Sequence, residues 1–224
     1  MATYALIHGA GDVGWYWHLV EADLRRRGHD VVAADLPVED DSAGLSNYAD
    51  VVVDAIAGRR DVVVVAQSFG GYTAPIVCSR VRSILLVLVA GMVPSPRESA
   101  DEMFSSTGYR REAQDDSSDL AIFYHDVPPA LAAVALARGR KQSATPGKEP
   151  WPLAARPDVP TRFLLCRQDR LFPAKWLRRV VRDRLGITPD EIDSGHTPAL
   201  SRPAELAERL EAYRADVAGS AARR

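Results

Sequence analysis

The chain has 224 residues, 46% of them hydrophobic, which suffices for one sizeable core and is too few for two enzyme domains of ordinary size. Its 28 basic and 30 acidic side chains leave a formal net charge of -2, which argues against a nucleic-acid partner or an anionic membrane surface. The composition therefore predicts one domain that acts on a small molecule.

Cysteine content and the N-terminal sequence bear on cofactors and location. Cys78 and Cys166 are too few for a disulfide framework and lack metal-ligand spacing, and we expect no metal or organic cofactor. The N-terminus MATYALIHGAG has no basic region or cleavage site, and nothing in the chain approaches about 18 uninterrupted apolar residues. We therefore expect a cytoplasmic protein, a monomer or homodimer, with no membrane partner.

Six short apolar runs recur along the chain, and most are followed by a segment of helical period. The runs are TYALIH, DVVAADL, DVVVVAQ, SILLVLVAG, TRFLLCR and DEIDS. The predicted helices cover 15–27, 46–57, 69–80, 174–185 and 202–217. Strands without polar alternation, separated by helices, are typical of a parallel sheet covered on both faces. The pattern predicts an α/β fold with a doubly wound, mostly parallel sheet of about six strands.

The alternation of strands and helices breaks between the fourth and fifth predicted strands. Residues 95–157 hold an acidic stretch, the helical segment PPALAAVALARGR and a proline-rich return. A segment this long is too large for an ordinary loop. We interpret it as a small helical lid between two parts of one core, residues 1–94 and 158–224.

The stretch VVVVAQSFGG, residues 62–71, leads an apolar strand into a polar pair and two glycines. A tight strand-to-helix turn exposes one side chain above the sheet edge and needs small neighbours, which Ala66 and Gly70 supply around Ser68. A serine held in this way becomes a nucleophile when a base lies within hydrogen-bond reach. The alternative is a serine that only caps the following helix.

Two partners for this serine follow later in the chain. Asp169, in LLCRQDRLFP, follows a predicted strand and could orient a histidine, although it could also form a surface ion pair. His196, in DSGHTPALSRP, follows the last predicted strand and is otherwise an exposed loop histidine. The order serine, aspartate, histidine, each after a separate strand, predicts a catalytic triad of Ser68, Asp169 and His196.

A glycine-rich loop after the first strand completes the predicted site. The sequence HGAG, residues 8–11, can direct backbone amides at a negatively charged oxygen. We expect the amides of Ala10 and Phe69 to form an oxyanion hole. For His8 a structural role that braces the loop is favoured over a role as the base.

Several motifs resemble those of the α/β-hydrolase superfamily over nearly the whole chain outside the lid. These motifs are HGAG, AQSFGG, DRLFP and SGHTPALSRP. A second set is similar to the small-lid branch that holds plant methyl esterases, hydroxynitrile lyases and their bacterial relatives. This set is HGAGDVGWYW, GHDVVAADLP, QSFGGYTA and LVAGMVPSP. Since the first apolar run is TYALIH, we expect the first hairpin of full-length members to be missing.

The resemblance implies the same triad and the same two oxyanion donors. The lyases of the branch carry a threonine after the His-Gly pair and a lysine after the catalytic histidine. This chain has Ala10 and Thr197 there, which disfavours cyanohydrin cleavage. Gln67 has no assigned role.

Aromatic and apolar side chains are expected to line the substrate cleft. The predicted lining is Trp15, Phe69, Met92, Phe123, Tyr124 and Phe172, with Trp151 as a further candidate. Such a lining suits a small or medium uncharged group. His125 could hydrogen-bond a substrate, but a role in capping a turn is favoured. The acidic side chains Asp115, Asp116 and Asp119 are expected to face solvent.

These features together predict a serine hydrolase that cleaves a small or medium carboxylic ester through an acyl-enzyme. Two alternatives stay open. One is a carbon–carbon bond hydrolase or lyase that uses the same triad. The other is a non-hydrolytic protein that binds a small ligand on the same fold.

Overall fold

The computed structural model describes residues 1–111 and 116–221, and these residues contain one parallel sheet. Its strands are β1 (Thr3–Ile7), β2 (Asp30–Val32), β3 (Val62–Gln67), β4 (Ser83–Val89), β5 (Thr161–Cys166) and β6 (Asp190–Ile192). They pair in the order β2-β1-β3-β4-β5-β6, and every neighbouring pair is parallel. The predicted parallel sheet of about six strands is confirmed.

In the part of the chain that the structure describes, five helices flank the sheet, as the apolar periodicity predicts. They are α1 (His18–Arg26), preceded by a short 3-10 turn at Gly14–Trp17, α2 (Leu45–Ala55), α3 (Gly70–Arg80), α8 (Ala174–Leu185) and α10 (Pro203–Ala221). A short helix α9 (Pro198–Ser201) precedes α10. None of the described helices is both long and apolar enough to cross a membrane.

The segment between β4 and β5 is helical in its described part. It contains α4 (Ala100–Ser106), α5 (Asp119–Phe123), α6 (Pro129–Arg138) and α7 (Thr145–Lys148). The assignment of 95–157 as a separate lid stays a prediction. Of the predicted acidic face, Asp116 and Asp119 are exposed, whereas Asp115 lies outside the described residues.

Two apolar clusters, one on each face of the sheet, form the core. In β3, Val62 and Val64 belong to the cluster that includes residues of α2, α3 and α8, whereas Val63 and Val65 belong to the cluster that includes residues of α1 and α10. Successive side chains of a strand point to opposite faces. Both faces of β3 are therefore covered, which is why its sequence is a continuous apolar run.

The carboxyl ends of the central strands meet at one edge of the sheet. Ser68 follows β3 directly, and its amide donates to the carbonyl of Val89 at the end of β4 (3.3 Å). The amide of Gln168, after β5, donates to the carbonyl of Ser194, after β6 (3.0 Å). These bonds hold side by side the loops that carry the predicted site residues.

Candidate active site

The turn between β3 and α3 holds Ser68 in an unusual backbone conformation. Its φ is +52°, in the left-handed region that a residue with a side chain rarely adopts. The carbonyl of Ser68 accepts a hydrogen bond from the amide of Met92 (2.9 Å), which supports the strained turn. A Cβ on Gly70 would lie 2.8 Å from the carbonyl oxygen of His8, so the small residue after the serine is required by the close approach of two backbone segments.

Ser68, His196 and Asp169 form a continuous chain of hydrogen bonds. Ser68 Oγ lies 3.0 Å from His196 Nε2, and His196 Nδ1 lies 2.8 Å from Asp169 Oδ2. The second carboxylate oxygen of Asp169 accepts from the amides of Leu171 (2.8 Å) and Phe172 (2.9 Å). An imidazole that donates from Nδ1 to the carboxylate leaves Nε2 free to accept the serine proton. Asp169 is buried, so the alternative of a surface ion pair does not describe it.

The loop at residues 8–11 passes close to the serine. A Cβ on Gly9 would lie 3.0 Å from Ser68 Cβ. Among the described residues, the amides of Ala10 and Phe69 donate to no protein acceptor, so both are free to bind an oxyanion. Two bonds tie the loop to a later segment, from the Arg140 amide to the Gly11 carbonyl (2.7 Å) and from the Gly11 amide to Gln142 Oε1 (3.0 Å).

His8 braces this loop and is neutral. Its Nδ1 donates to the carbonyl of Gly9 (2.9 Å), and the amide of Leu36 donates to its Nε2 (3.1 Å). Burial lowers the pKa of His8 to about 4, because the charged imidazolium loses its hydration. Both ring nitrogens are engaged, which fits the expected structural role.

Gln67 has a contact that sequence reasoning missed. Its buried side-chain amide donates to the backbone carbonyl of His196 (3.0 Å), 129 residues further along the chain. The bond fastens the histidine loop to the end of β3. No local pattern in AQSFGG could indicate this partner, because the two residues meet only through the order of the strands.

The segment from α5 to residue 126 makes several hydrogen bonds to the loops that carry Asp169 and His196. Asp126 Oδ2 accepts from the amide of Gly195 (2.8 Å), and Thr197 Oγ1 donates to the carbonyl of Phe123 (2.6 Å). His125 Nε2 donates to the carbonyl of Gln168 (3.0 Å), so this histidine spans to a different loop. The residues on either side of His196 are thus held by side chains or carbonyls from the predicted lid.

Two cavities meet at Ser68. The larger has a volume of about 490 Å³, and its lining includes the polar or aromatic side chains of Asp12, Asp119, Phe123, Tyr124, Arg140 and His196. The smaller has a volume of about 300 Å³, and its lining includes the apolar side chains of Phe69, Met92, Ala100, Phe104, Leu171 and Phe172. Among the described residues, no group of three or more His, Cys, Asp or Glu side chains could hold a metal ion.

Most of the chain matches the model of one protein family. The family model described as the alpha/beta hydrolase family matches residues 5–209. The chain belongs to the alpha/beta hydrolase family. The resemblance stated from the motifs is thereby confirmed.

The curated relatives of this alpha/beta hydrolase include plant esterases. It is 27% identical over 122 residues to methyl jasmonate esterase 1 of Vitis vinifera, an alignment that covers 49% of this chain and 46% of the relative. It is 33% identical over 88 residues to the probable esterase PIR7A of Oryza sativa subsp. indica, covering 34% and 33%. The matches span less than half the length of these relatives.

A solved structure shows the same fold over nearly the whole length of both chains. The crystal structure of polyneuridine aldehyde esterase superimposes on this alpha/beta hydrolase with a TM-score of 0.80 and 18% identity. The match covers 95% of this chain and 98% of that structure. At this identity the likeness concerns the fold alone.

Five of the residues predicted to line the cleft border one of the two cavities. Phe123 and Tyr124 line the larger cavity, and Phe69, Met92 and Phe172 line the smaller one. Trp15 lines neither, because its ring stacks on His18 (centroids 4.2 Å apart) with the Arg138 guanidinium 4.7 Å from its centre.

Trp151 lies in the core instead of the cleft. Its side chain is buried, and Nε1 donates to the carbonyl of Tyr72 (3.0 Å). It lines neither cavity. The cavity residues that sequence reasoning missed include Asp12, Arg140 and Gln142, none of which shows an apolar or catalytic pattern.

Proposed function

We propose that this alpha/beta hydrolase is a serine carboxylesterase that cleaves a small or medium ester through an acyl-enzyme. Ser68 is the nucleophile, His196 the base and Asp169 the group that orients it. The observation that carries the proposal is the hydrogen-bond chain of 3.0 Å and 2.8 Å that opens on the cavities at Ser68. The esterase names of the curated relatives support the same reaction class.

The reaction proceeds in two displacements. His196 Nε2 takes the hydroxyl proton as Ser68 Oγ attacks the carbonyl carbon, and the electron pair of the carbonyl bond moves to oxygen. The amides of Ala10 and Phe69 stabilise that oxyanion. Its collapse breaks the ester C–O bond, and the departing alcohol takes the proton from the imidazolium. Water then attacks the acyl-serine by the same route and releases the acid and free Ser68.

We also propose that residues 95–157 act as a lid on the core of residues 1–94 and 158–224. The support is that side chains of this segment border the larger cavity, including Phe123 and Gln142. A cover of this kind excludes water from the reacting atoms and limits which substrates enter.

A panel of p-nitrophenyl esters from acetate to octanoate tests the activity, together with mass-spectrometric mapping of a fluorophosphonate label. We expect turnover of at least one ester and a label on Ser68 only. Ser68→Ala should abolish the label and lower kcat by at least about 10³-fold. The matched control is Ser79→Ala, since Ser79 is exposed at the other end of α3 and its Oγ donates to the Ile76 carbonyl. It should behave as the wild type.

The same experiment separates the alternatives. A carbon–carbon hydrolase or lyase that uses His196 only as a base forms no acyl-serine, so failure to trap that intermediate with a turned-over ester contradicts the proposal. A binding protein gives neither turnover nor label. A label on a residue other than Ser68 also contradicts the proposed esterase function.

A further inference from the structure

The two cavities that meet at Ser68 differ in which member of the triad they contain. His196 and Thr197 border the larger cavity and not the smaller one, whereas Ala10, Ser68 and Gln142 border both. The nucleophile and one oxyanion donor therefore stand between the cavities. The proton donor for the leaving group faces only one of them.

If the protein is the esterase proposed above, this asymmetry assigns the alcohol part and the acyl part of the ester to different cavities. The departing alcohol oxygen must receive its proton from His196 Nε2, so the alcohol part projects into the larger cavity. The acyl part is left to the smaller cavity, which Met92 and Phe172 help to make apolar. The polar lining thus faces the alcohol part.

Asp12 places a carboxylate with spare bonding capacity in the larger cavity. It is half-buried, and its Oδ1 accepts from the amide of Val13 (2.8 Å). Among the described residues, no donor bonds its other oxygen. A partly buried carboxylate with one oxygen that lacks a partner gains from binding a cation or a hydrogen-bond donor there.

The charged and titratable groups around Asp12 leave its charge uncompensated within the protein. Asp35, Tyr16 and Tyr124 act on it from neighbouring segments, and within the described part of the chain only His196 is a potential cation among the groups that influence it directly. Arg140 lines the same cavity but pairs with Asp35 (3.1 Å). Burial raises the pKa of Asp12 to about 6, which Asp35 reinforces and the amide of Val13 opposes.

We propose that the larger cavity binds the alcohol part of the substrate and that Asp12 selects alcohols that carry a protonated amine. The amine replaces the missing donor at the second carboxylate oxygen. The rings of Phe123 and Tyr124 border the same cavity and suit a cation over an aromatic face. Asp119, an exposed residue on the same lining, adds a second negative charge.

Two esters of the same shape test this selection. 2-(Dimethylamino)ethyl butyrate carries the protonated amine, and 3-methylbutyl butyrate places carbon where the nitrogen was. The measured quantity is the kcat/KM of the amine ester divided by that of the neutral ester. Both reactions need the same His196 and oxyanion hole, so changes in these groups affect both values alike and cancel in the ratio. The loss of one hydrogen bond to a charged group lowers a binding constant by roughly tenfold to hundredfold. We therefore expect Asp12→Asn to lower the ratio by about that factor.

Two further variants make the result specific. Asn at position 12 keeps an acceptor for the Val13 amide, so thermal unfolding should show a folded protein. Asp216→Asn removes a charge from the exposed face of α10, outside both cavities, and should leave the ratio unchanged. A fall in the ratio with Asp119→Asn but not with Asp12→Asn would overturn the assignment to Asp12.

The pH dependence provides an independent readout. Protonation of Asp12 removes its charge, so the wild-type ratio should fall as the pH drops through about 6 and should be flat in Asp12→Asn. A flat wild-type ratio between pH 5 and 7.5 overturns the inference. If the neutral ester is hydrolysed and Ser68 is labelled, but the kcat/KM ratio is the same in the wild type and in Asp12→Asn, only this inference fails. Absence of hydrolysis and label removes the proposed function itself.

Discussion

Gly71 shows how a single residue positions Ser68, the proposed nucleophile. Its Cα faces the backbone of Met92, where an added Cβ would overlap the carbonyl oxygen and lie 3.0 Å from the nitrogen. The same Met92 amide bonds the carbonyl of Ser68. The second glycine of SFGG therefore permits the contact that holds the serine in its left-handed conformation.

Gly71→Ala should destabilise the fold and impair the turn together. Both atoms that meet the new methyl group are backbone, so the clash is relieved only by displacing α3 or the chain that follows β4, and we expect a loss of at least about 2–3 kcal/mol in the free energy of unfolding. Urea denaturation measures it. Gly147→Ala is the control, since its Cβ would meet only a side-chain oxygen at 3.6 Å. Equal midpoints for the two variants would contradict the explanation.

Gln67 and His8 illustrate a second kind of residue effect. Neither takes part in the proposed chemistry, yet Gln67 bonds the His196 carbonyl and His8 bonds the Gly9 carbonyl and the Leu36 amide. Each satisfies a buried backbone group beside the site, and an unsatisfied group there costs on the order of 1–3 kcal/mol. Their function is to position loops.

At the scale of elements, the α5 segment connects the predicted lid to the proposed triad. Asp126 accepts from the Gly195 amide, and a Cβ on Gly195 would lie 2.5 Å from Asp126 Oδ1 and 2.7 Å from His125 Nε2. Side chains of this segment therefore lie directly against Gly195, the residue before His196, and the segment also borders the larger cavity.

Asp126→Ala should lower kcat by about tenfold with a smaller change in KM. The Gly195 amide loses its acceptor, and the added freedom of the His196 loop reduces the share of productive Ser68–His196 geometry. Steady-state kinetics on p-nitrophenyl butyrate, with the rate of fluorophosphonate labelling as a second readout, checks this. Asp116→Ala, on the exposed stretch before α5, is the control. An unchanged kcat, or a rise in KM alone, would show that Asp126 does not position the histidine.

At the scale of the whole molecule, a polar network joins the first strand to the last helix. Glu211 on α10 accepts from the Tyr4 hydroxyl of β1 and from His29 Nε2 (2.9 Å), and His29 Nδ1 accepts from the Ala2 amide (3.1 Å). Burial acts to raise the pKa of Glu211. Hydrogen bonds from Arg214, Tyr4 and His29 outweigh it and bring the pKa to about 2.

This network predicts how global stability depends on pH. A carboxyl whose pKa is lower in the folded state stabilises the fold above its unfolded pKa of about 4.3, and that contribution is lost as the pH falls toward 2. Urea midpoints between pH 7 and 2 should fall more steeply for the wild type than for Glu211→Gln. Parallel curves would mean that Glu211 titrates alike in the folded and unfolded states.

Much of the architecture follows from local sequence. Continuous apolar runs predict strands buried on both faces. Their alternation with helices predicts a parallel sheet, because each helix carries the chain back to the edge where the previous strand began. The same rule brings the loops that hold Ser68, Asp169 and His196 to one edge of the sheet. The catalytic roles of these residues remain a prediction.

The sequence by itself determined the family and the sheet and predicted the three residues of the candidate site, because apolar period, small residues at a turn and chain order are local properties. Only the tertiary structure decided that Gln67 bonds the His196 carbonyl, that Trp15 lies outside both cavities, and that Asp12 borders one of them. Such contacts join residues far apart in the chain. They depend on how helices and loops pack over the sheet, which no window of sequence specifies.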